Sequence, residues 1–459
     1  MASAPYRPDP RINDVRDLLA DPVDSADFPQ TTLRFRNQRW AEAVGLGELT
    51  DDAWIRHFAR FEPLPGNLPQ PLALRYHGHQ FRSYNPELGD GRGFLFAQLR
   101  DDRGRLLDLG TKGSGQTPYS RFGDGRLTLK GGVREVLATE MLEALGANTS
   151  KTFSLVETGE ELTRGDEPSP TRSAVMVRLS HGHIRIGSFE RLAALDQPDE
   201  MRRLIRYCLA HLLDEPGEDP ARFFELVVQR CAALAASFGA AGFVHGVLNS
   251  DNINITGESF DYGPWRWTPV WDPGFTAAYF DQTGLYAFGR QAEAIHWDLR
   301  QLARALTLIA PPESLQPALE AFGPAYERAF VLAVLARLGL ASRDEDGDRL
   351  LARGLVQALG EQKVTIDRAF HDWRGGQLRR ASTRYDGEAW APFRARVAAY
   401  AETAPVHPYW SDVDPCTMYI DEVEAIWAPI AEADDWTAFE AKVAAVRRMG
   451  EALGEPAEA

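Results

Sequence analysis

The sequence is poor in cysteine and has no long hydrophobic run, and both shortages limit what the chain can be. Its three cysteines, Cys208, Cys231 and Cys416, are far apart, which excludes a disulfide framework and a CxxC zinc site. No stretch approaches the roughly 18 consecutive apolar residues of a membrane span. Residues 1–10 lack the basic and apolar segments of a secretory signal. We therefore expect a cytoplasmic protein that does not associate with a membrane.

Positive charge is also scarce. The chain has 50 lysines and arginines against 66 acidic residues, a net charge of −16, which argues against broad binding to nucleic acid but leaves room for a local cationic pocket. We expect a monomer with no nucleic-acid partner. The basic residues are nearly all arginine, and the lysines are Lys112, Lys130, Lys151, Lys363 and Lys442. A lysine in such a chain can mark a position that needs a compact ammonium group.

The order of predicted elements indicates an α+β protein. Alternating apolar runs on both sides of the turn 101–104 predict a β-hairpin that ends directly before Lys112. A helix is predicted over 132–145, with strands at 152–157 and 174–179 around a polar loop, 163–172. After Glu190 the pattern is helical, with helices predicted at 198–213, 220–238, 290–309 and 312–338.

This order predicts three regions. They are a proline-rich extension over residues 1–70 that contains short helical stretches and packs on the body, a β-rich region with one helix over 71–190, and a helical region over 191–459.

The tetrapeptide Gly-Asp-Gly-Arg occurs twice, at 89–92 and 123–126. Glycines allow the backbone to approach a ligand closely, and arginine offers a forked donor to phosphate oxygens. Either copy alone is consistent with an ordinary surface turn. Two copies on either side of Lys112 favour a phosphate-binding cradle.

Lys112 follows a predicted strand, and Glu135 lies 23 positions later in the predicted helix. A strand lysine paired with a helix glutamate is how protein kinases direct an ammonium group at nucleotide phosphates. A surface lysine and a solvated acid are the alternative.

The segment from His245 to Asn252, followed by Asp261-Tyr-Gly, resembles a kinase catalytic loop and its metal-binding triplet. Asn252 stands seven positions after His245, as the pattern requires, and Asn252 and Asp261 carry the oxygen ligands that Mg²⁺ prefers. The position of the usual kinase base is Val247, which cannot accept a proton. Asp251 is the nearest carboxylate that can. A loop built from Asx turns is the structural alternative.

Arg178 and Arg185 bracket a predicted turn and could converge on a triphosphate, or each could form an ordinary ion pair. The histidines His77, His79, His181 and His183 lack cysteine or acidic partners at ligand spacing, which disfavours a zinc site.

With these residues in place, the chain resembles the selenoprotein O (SelO) family of protein adenylyltransferases, formerly described as pseudokinases. The resemblance runs from about Tyr76 to Leu306 and is carried by the segments Gly78–Phe81, Asn85–Gly93, Lys112–Arg121, Gly123–Arg126, Arg134–Glu135, His183–Glu190, His245–Asn252 and Asp261–Pro264. The segment 127–133, Gly165 and the region after Asp412 depart from the family pattern. The single Cys416 puts a redox-active disulfide in the tail in doubt.

The resemblance implies a protein-kinase-like, two-lobed fold that holds ATP in a reversed orientation, with the α-phosphorus facing a protein hydroxyl. It implies ATP binding by Gly89, Gly91, Arg92, Lys112, Asp124, Gly125, Arg178 and Arg185. It also implies Asp251 as proton acceptor, Asn252 and Asp261 as metal ligands, and Glu135 as the partner of Lys112.

The expected reaction is Mg²⁺-dependent transfer of AMP from ATP to Ser, Thr or Tyr hydroxyls of proteins. The alternatives are transfer of UMP from UTP with Mn²⁺, ordinary phosphotransfer, and an inactive nucleotide-binding protein.

Overall fold

The computed structural model describes residues 4–165, 167–400 and 406–454. The first three residues of the predicted extension, Asp166 of the predicted loop, and residues 401–405 and 455–459 of the predicted helical region lie outside this part. Within it, strands dominate up to Ser180 and helices dominate afterwards, so the predicted α+β class is confirmed.

The main structure of the first half is an eight-stranded antiparallel sheet. Seven strands follow the order β1-β3-β6-β7-β10-β9-β2, and β8 pairs with β10. Two small two-stranded sheets, the hairpin β4–β5 and the pair β11–β12, stand apart from it. The strands are β1 (Ala20–Pro22), β2 (Thr32–Arg36), β3 (Leu72–Leu74), β4 (Gly78–Gln80), β5 (Ser83–Asn85), β6 (Leu95–Arg100), β7 (Leu106–Lys112), β8 (Leu127–Thr128), β9 (Lys151–Leu162), β10 (Thr171–Ser180), β11 (Phe243–Val244) and β12 (Arg266–Trp267).

The first 70 residues do more than pack on the body, because they supply strands at both ends of the sheet order. β1 pairs with β3, and β2 pairs with β9. The sequence predicts only helical stretches here, since strands of three and five residues among prolines give too short an alternating pattern to recognise.

Alternation along β10 directs side chains to two different cores. Val175, Val177 and Leu179 join Trp54 and other aromatic residues of the N-terminal segment on one face. Ala174 and Met176 face the opposite core. Arg178 shares the Met176 face, because residues two apart in a strand point the same way.

The helices are α1 (Arg16–Leu19), α2 (Gln38–Ala43), α3 (Asp51–Phe58), α4 (Leu129–Ala144), α5 (Ile186–Ala194), α6 (Pro198–His211), α7 (Pro220–Ala241), α8 (Gln291–Leu306), α9 (Pro312–Leu338), α10 (Glu345–Glu361), α11 (Ile366–Asp372), α12 (Ala391–Val397), α13 (Ile420–Ala433) and α14 (Thr437–Leu453). The helices predicted from the sequence match α4, α6, α7, α8 and α9 to within a few residues at each end. α4 begins earlier than predicted because the Thr128 side chain caps it by accepting a hydrogen bond from the Gly131 amide.

Helix α7 leads directly into the His245 segment. Its N-terminus has Asp219 as a cap and Pro220 in its first turn, and its C-terminus stops at Gly242, whose φ of 71° is left-handed. By length and composition alone α7 could cross a membrane, but 61% of its apolar window is buried within the protein. It packs against α6, α8 and α9.

Candidate active site

Lys112 is the last residue of β7, and the sheet register determines its neighbours. Lys112 is paired with Met176 of β10, and Gly110 is paired with Arg178. Paired residues of antiparallel strands share a face, so Lys112 and Arg178 are diagonal neighbours on the same face. The glycine opposite Arg178 leaves space that His183 fills, since a Cβ at Gly110 would lie 2.4 Å from His183 Nε2.

The predicted Lys112–Glu135 pair is present. Lys112 Nζ lies 2.6 Å from Glu135 Oε2, and both side chains are buried. Glu135 is on α4, whose apolar residues pack in the same core as Met176. The nearest guanidinium atom of Arg178 is 3.6 Å from the second carboxylate oxygen of Glu135.

Asp261 joins the same group from the second half of the chain. Its Oδ1 lies 2.6 Å from Lys112 Nζ and 3.5 Å from Arg178 Nη1. Burial alone would raise the pKa of this carboxyl, but the charges of Lys112, Arg178 and Arg92 hold it well below its usual range. Asp261 has a left-handed φ of 62°, an uncommon conformation for residues other than glycine that aspartate adopts more readily than most.

Arg178 and Arg185 converge on Phe260, the residue before Asp261. The guanidinium carbon of Arg178 is 5.6 Å from the Phe260 ring centroid, and that of Arg185 is 4.7 Å from it. Arg185 also stacks on Tyr76 at 4.2 Å, and its Nη1 donates to the Asp251 carbonyl oxygen at 2.9 Å. Both arginines are buried, yet within the described part of the chain Nε and Nη1 of Arg178 and Nε of Arg185 have no hydrogen-bond partner.

Asp251 and Asn252 lie on a short 3-10 turn, Ser250–Asn252. Burial raises the pKa of Asp251 to about 6, against the lowering effect of the Arg185 charge. The Asn252 side-chain nitrogen donates to the Val247 carbonyl oxygen at 2.9 Å. This bond directs the amide oxygen of Asn252 away from Val247.

The first Gly-Asp-Gly-Arg segment has a packing reason for its glycines. A Cβ at Gly89 would lie 2.3 Å from the Tyr119 ring, and one at Gly91 would lie 2.9 Å from the Tyr119 carbonyl oxygen. The glycines therefore allow this turn to pack against the loop after Lys112. Arg92 binds the same loop, because its carbonyl oxygen accepts from the Gly113 amide at 2.6 Å.

The second copy packs on that loop from another side. Gly125 has a φ of 70°, and its carbonyl oxygen accepts from the Gly115 amide at 3.1 Å. The Asp124 side chain is engaged outside the Lys112 group, where it accepts from both terminal nitrogens of Arg164 at 2.8 and 3.1 Å. A role for Asp124 in binding nucleotide stays a prediction.

Sequence reasoning missed two residues of this site. Asp90 accepts from Arg185 Nη2 at 3.3 Å and from the Leu74 amide at 3.0 Å. Its position inside the first Gly-Asp-Gly-Arg segment was the signal that could have identified it. Phe260, which supports both arginines, gave no signal beyond being next to Asp261.

Three of the four histidines considered for zinc have other side-chain partners. His79 is paired with Glu190 and His183 with Asp108, while Nδ1 of His77 contacts the Tyr84 hydroxyl at 2.6 Å. Across residues 4–165, 167–400 and 406–454, no cluster of three or more His, Cys, Asp or Glu side chains could hold a metal. A metal at Asp261 would therefore need the amide of Asn252 and oxygen atoms from a ligand.

Comparison of the sequence with known proteins identifies the family to which the chain belongs. The sequence model described as protein adenylyltransferase SelO matches residues 4–447. The chain belongs to the SelO family. The match extends well beyond the Tyr76–Leu306 range and includes most of the tail that resembles the family only loosely at first sight.

Proteins named protein nucleotidyltransferase YdiU are similar in sequence to this chain. The protein nucleotidyltransferase YdiU of Synechocystis sp. is 42% identical over 462 residues, covering 94% of this chain and 96% of the relative. The protein of the same name from Synechococcus sp. is 40% identical over 490 residues, covering 99% and 97%. As a SelO protein, the chain is an enzyme of the protein nucleotidyltransferase class.

Proposed function

We propose that this SelO-family enzyme transfers AMP from ATP to Ser, Thr or Tyr hydroxyls of proteins, releasing pyrophosphate. One observation carries the proposal: among the described residues, the buried arginines around Asp261 have guanidinium nitrogens without a hydrogen-bond partner. Leaving a buried charged donor unpaired is costly. Three such atoms on Arg178 and Arg185, beside Lys112, favour a polyanionic ligand that completes their hydrogen bonds.

A triphosphate suits this donor set. Arginine binds phosphate oxygens with a planar fork, and lysine acts as a point charge. The Lys112–Glu135 pair between a strand and a helix corresponds to the arrangement of protein kinases. We therefore propose a kinase-like, two-lobed organisation, in which the sheet with α4 forms one lobe and the later helices form the other.

Asp261 and Asn252 fit a hard divalent cation such as Mg²⁺. The charges around Asp261 keep its carboxyl ionised, and Asn252 is oriented by its bond to Val247 so that the amide oxygen is the atom left for a ligand. When bound, the cation would neutralise phosphate charge and help the pyrophosphate to depart. Mn²⁺ prefers similar ligands.

Asp251 is the residue we propose as proton acceptor. The acceptor hydroxyl oxygen would form a bond to the α-phosphorus, the bond from that phosphorus to the pyrophosphate oxygen would break, and the hydroxyl proton would pass to Asp251. A carboxyl with a pKa of about 6 is ionised at neutral pH and is a stronger base than an ordinary aspartate. Val247, at the position of the kinase base, offers only its carbonyl oxygen, which Asn252 occupies.

The test uses ATP labelled separately at the α or the γ phosphorus, with Mg²⁺ and a protein acceptor. We expect label on protein only from the α position. Asp261→Ala should abolish it, whereas Asp386→Ala, at an exposed aspartate, should not. Label only from the γ position would show a kinase, and label from neither would show an inactive nucleotide-binding protein. Parallel reactions with α-labelled UTP and Mn²⁺ would separate transfer of AMP from transfer of UMP.

A further inference from the structure

The hairpin β4–β5 lies against the segment that contains Asp251. It contains the Gly-His-Gln-Phe segment, Gly78–Phe81. Consecutive residues of this segment bind consecutive residues of the loop 249–251, so the two segments are joined along their length.

Backbone groups of the hairpin make two of these contacts. The His79 amide donates to Ser250 Oγ at 2.7 Å, and the Phe81 amide donates to Asn249 Oδ1 at 3.0 Å. Ser250 Oγ in turn donates to Glu190 Oε2 at 2.5 Å, and the other oxygen of Glu190 is paired with the His79 ring. The loop is thereby held in one position against the hairpin and α5.

The side chain of Gln80 makes the third contact. Its Nε2 donates to Asp251 Oδ2 at 3.3 Å. The Asn85 side-chain nitrogen donates to Gln80 Oε1 at 3.4 Å, and Asn85 Oδ1 accepts from the Glu87 amide at 2.9 Å. These two bonds set the orientation of both amides, so the NH₂ group of Gln80 is the end that faces Asp251.

The two oxygens of the Asp251 carboxylate differ as a result. Oδ2 is bonded to Gln80, whereas Oδ1 is buried and has no hydrogen-bond partner among the residues that the structure describes. Gly78 lies beside Oδ1, and a Cβ there would be 3.3 Å from Oδ1 and 2.9 Å from Asp251 Cβ. Because Gly78 has no side chain, it leaves the Asp251 carboxylate undisturbed.

We propose that Gln80 is a positioning residue, which holds Asp251 Oδ2 so that Oδ1 is the oxygen presented to the acceptor hydroxyl. This inference rests on the proposed function, in which Asp251 takes the hydroxyl proton. Gln80 acts through Asp251 and touches no reacting atom. Its effect is therefore expected in the rate of transfer and not in nucleotide binding.

The test compares Gln80→Leu with Gln70→Leu. Gln70 is a matched control, because its amide also donates to an aspartate, Asp24 at 3.2 Å, but at the surface. We expect Gln80→Leu to lower kcat for AMP transfer about 10-fold or more, with KM for ATP within about twofold of the unchanged protein, since a general base contributes roughly 10²-fold or more. Gln70→Leu should leave both constants unchanged.

A double variant shows whether Gln80 acts through Asp251. In an Asp251→Ala background, Gln80→Leu should cause no further loss, because the group that it positions is gone. Equal losses in both backgrounds would overturn the inference, as would a kcat for Gln80→Leu within twofold of the unchanged protein. If Gln80→Leu fails to fold, Asn85→Ala replaces it, with an expected fall in kcat of about threefold and the same dependence on Asp251.

The same assays distinguish the inference from the function on which it rests. If the unchanged protein transfers label from the α position and Asp251→Ala abolishes it, an active Gln80→Leu variant overturns only the positioning role. If the unchanged protein transfers no α label, the proposed function fails, and the positioning role fails with it.

Discussion

Lys112 Nζ lies 2.6 Å from Asp261 Oδ1, which joins a strand of the sheet to a loop of the helical half. The same ammonium group lies 2.6 Å from Glu135 Oε2 on α4. One buried cation therefore connects three parts of the chain that are far apart in sequence.

Replacing Lys112 by methionine should lower both the rate of transfer and the free energy of unfolding. Glu135 and Asp261 would lose their shared cation, and breaking a buried ion pair typically costs about 3 kcal/mol or more. The rate of transfer should fall on the order of 100-fold, since the phosphates lose a preorganised charge. Urea unfolding and α-label transfer measure the two effects.

Lys130→Met is the control for this variant, because Lys130 is paired with Glu424 at 2.7 Å nearer the surface. Its cost should be below about 1 kcal/mol. A Lys112→Met protein that keeps a tenth or more of the transfer rate would contradict the role given to Lys112.

Arg185→Lys tests whether the site needs the several planar donors of the guanidinium group or only its positive charge. Arg185 donates to the Asp251 carbonyl oxygen and to Asp90 while it stacks on Tyr76, and an ammonium group cannot maintain all three contacts. We expect transfer to fall about 10-fold or more. The surface variant Arg203→Lys, at an arginine that binds both carboxylate oxygens of Asp17, should be neutral. Equal activities of the two variants would show that charge alone suffices at position 185.

Glu258 provides a prediction about pH. Burial raises the pKa of this carboxyl to about 7, although Lys151 and the bond from the His181 amide lower it. The folded protein therefore keeps a proton that the unfolded chain releases near pH 4.3, so this group reduces stability as pH rises from about 4.3 to 7.

Glu258→Gln removes that loss. The difference in unfolding free energy, variant minus unchanged protein, should increase by on the order of 3 kcal/mol as the pH rises from 5 to 8. Burial lowers the pKa of neighbouring His181 to about 3. His181 is present in both proteins, so its own pH dependence cancels in the difference. A difference that does not vary with pH would show that Glu258 is ionised in the folded protein.

Arg447→Ala tests the contact between α14 and α4. Arg447 Nε and Nη2 donate to the two oxygens of buried Glu140 at 2.8 and 2.6 Å. Removing the arginine leaves a buried charge, which should cost roughly 3 kcal/mol in urea unfolding. The adjacent Arg448→Ala, which breaks a pair with Asp412 at the surface, should cost less than about 1 kcal/mol. Adding Glu140→Gln should recover part of the loss at Arg447, and no recovery would contradict the pairing.

Patterns in the local sequence were sufficient to predict the strands and helices that depend on neighbouring residues. The strand ending at Lys112 and the helix with Glu135 follow from periodicity, and their pairing follows from the kinase-like spacing. The contacts of Gln80 and Phe260 depend on how distant segments meet, which the neighbouring residues do not indicate, whereas Asp90 could have been identified from its place in the first Gly-Asp-Gly-Arg segment. The two edge strands were missed because strands of three to five residues carry almost no periodic signal.

The attachment of α14 to α4 has a consequence for the timing of synthesis. α4 carries Glu135, but one face of α4 packs against α14, which is translated much later. A nascent chain can build the sheet long before α14 emerges, and during that interval α4 lacks its partner. The proposed nucleotide site is therefore expected to become rigid only after α14 has emerged, which would delay catalysis until that stage of synthesis.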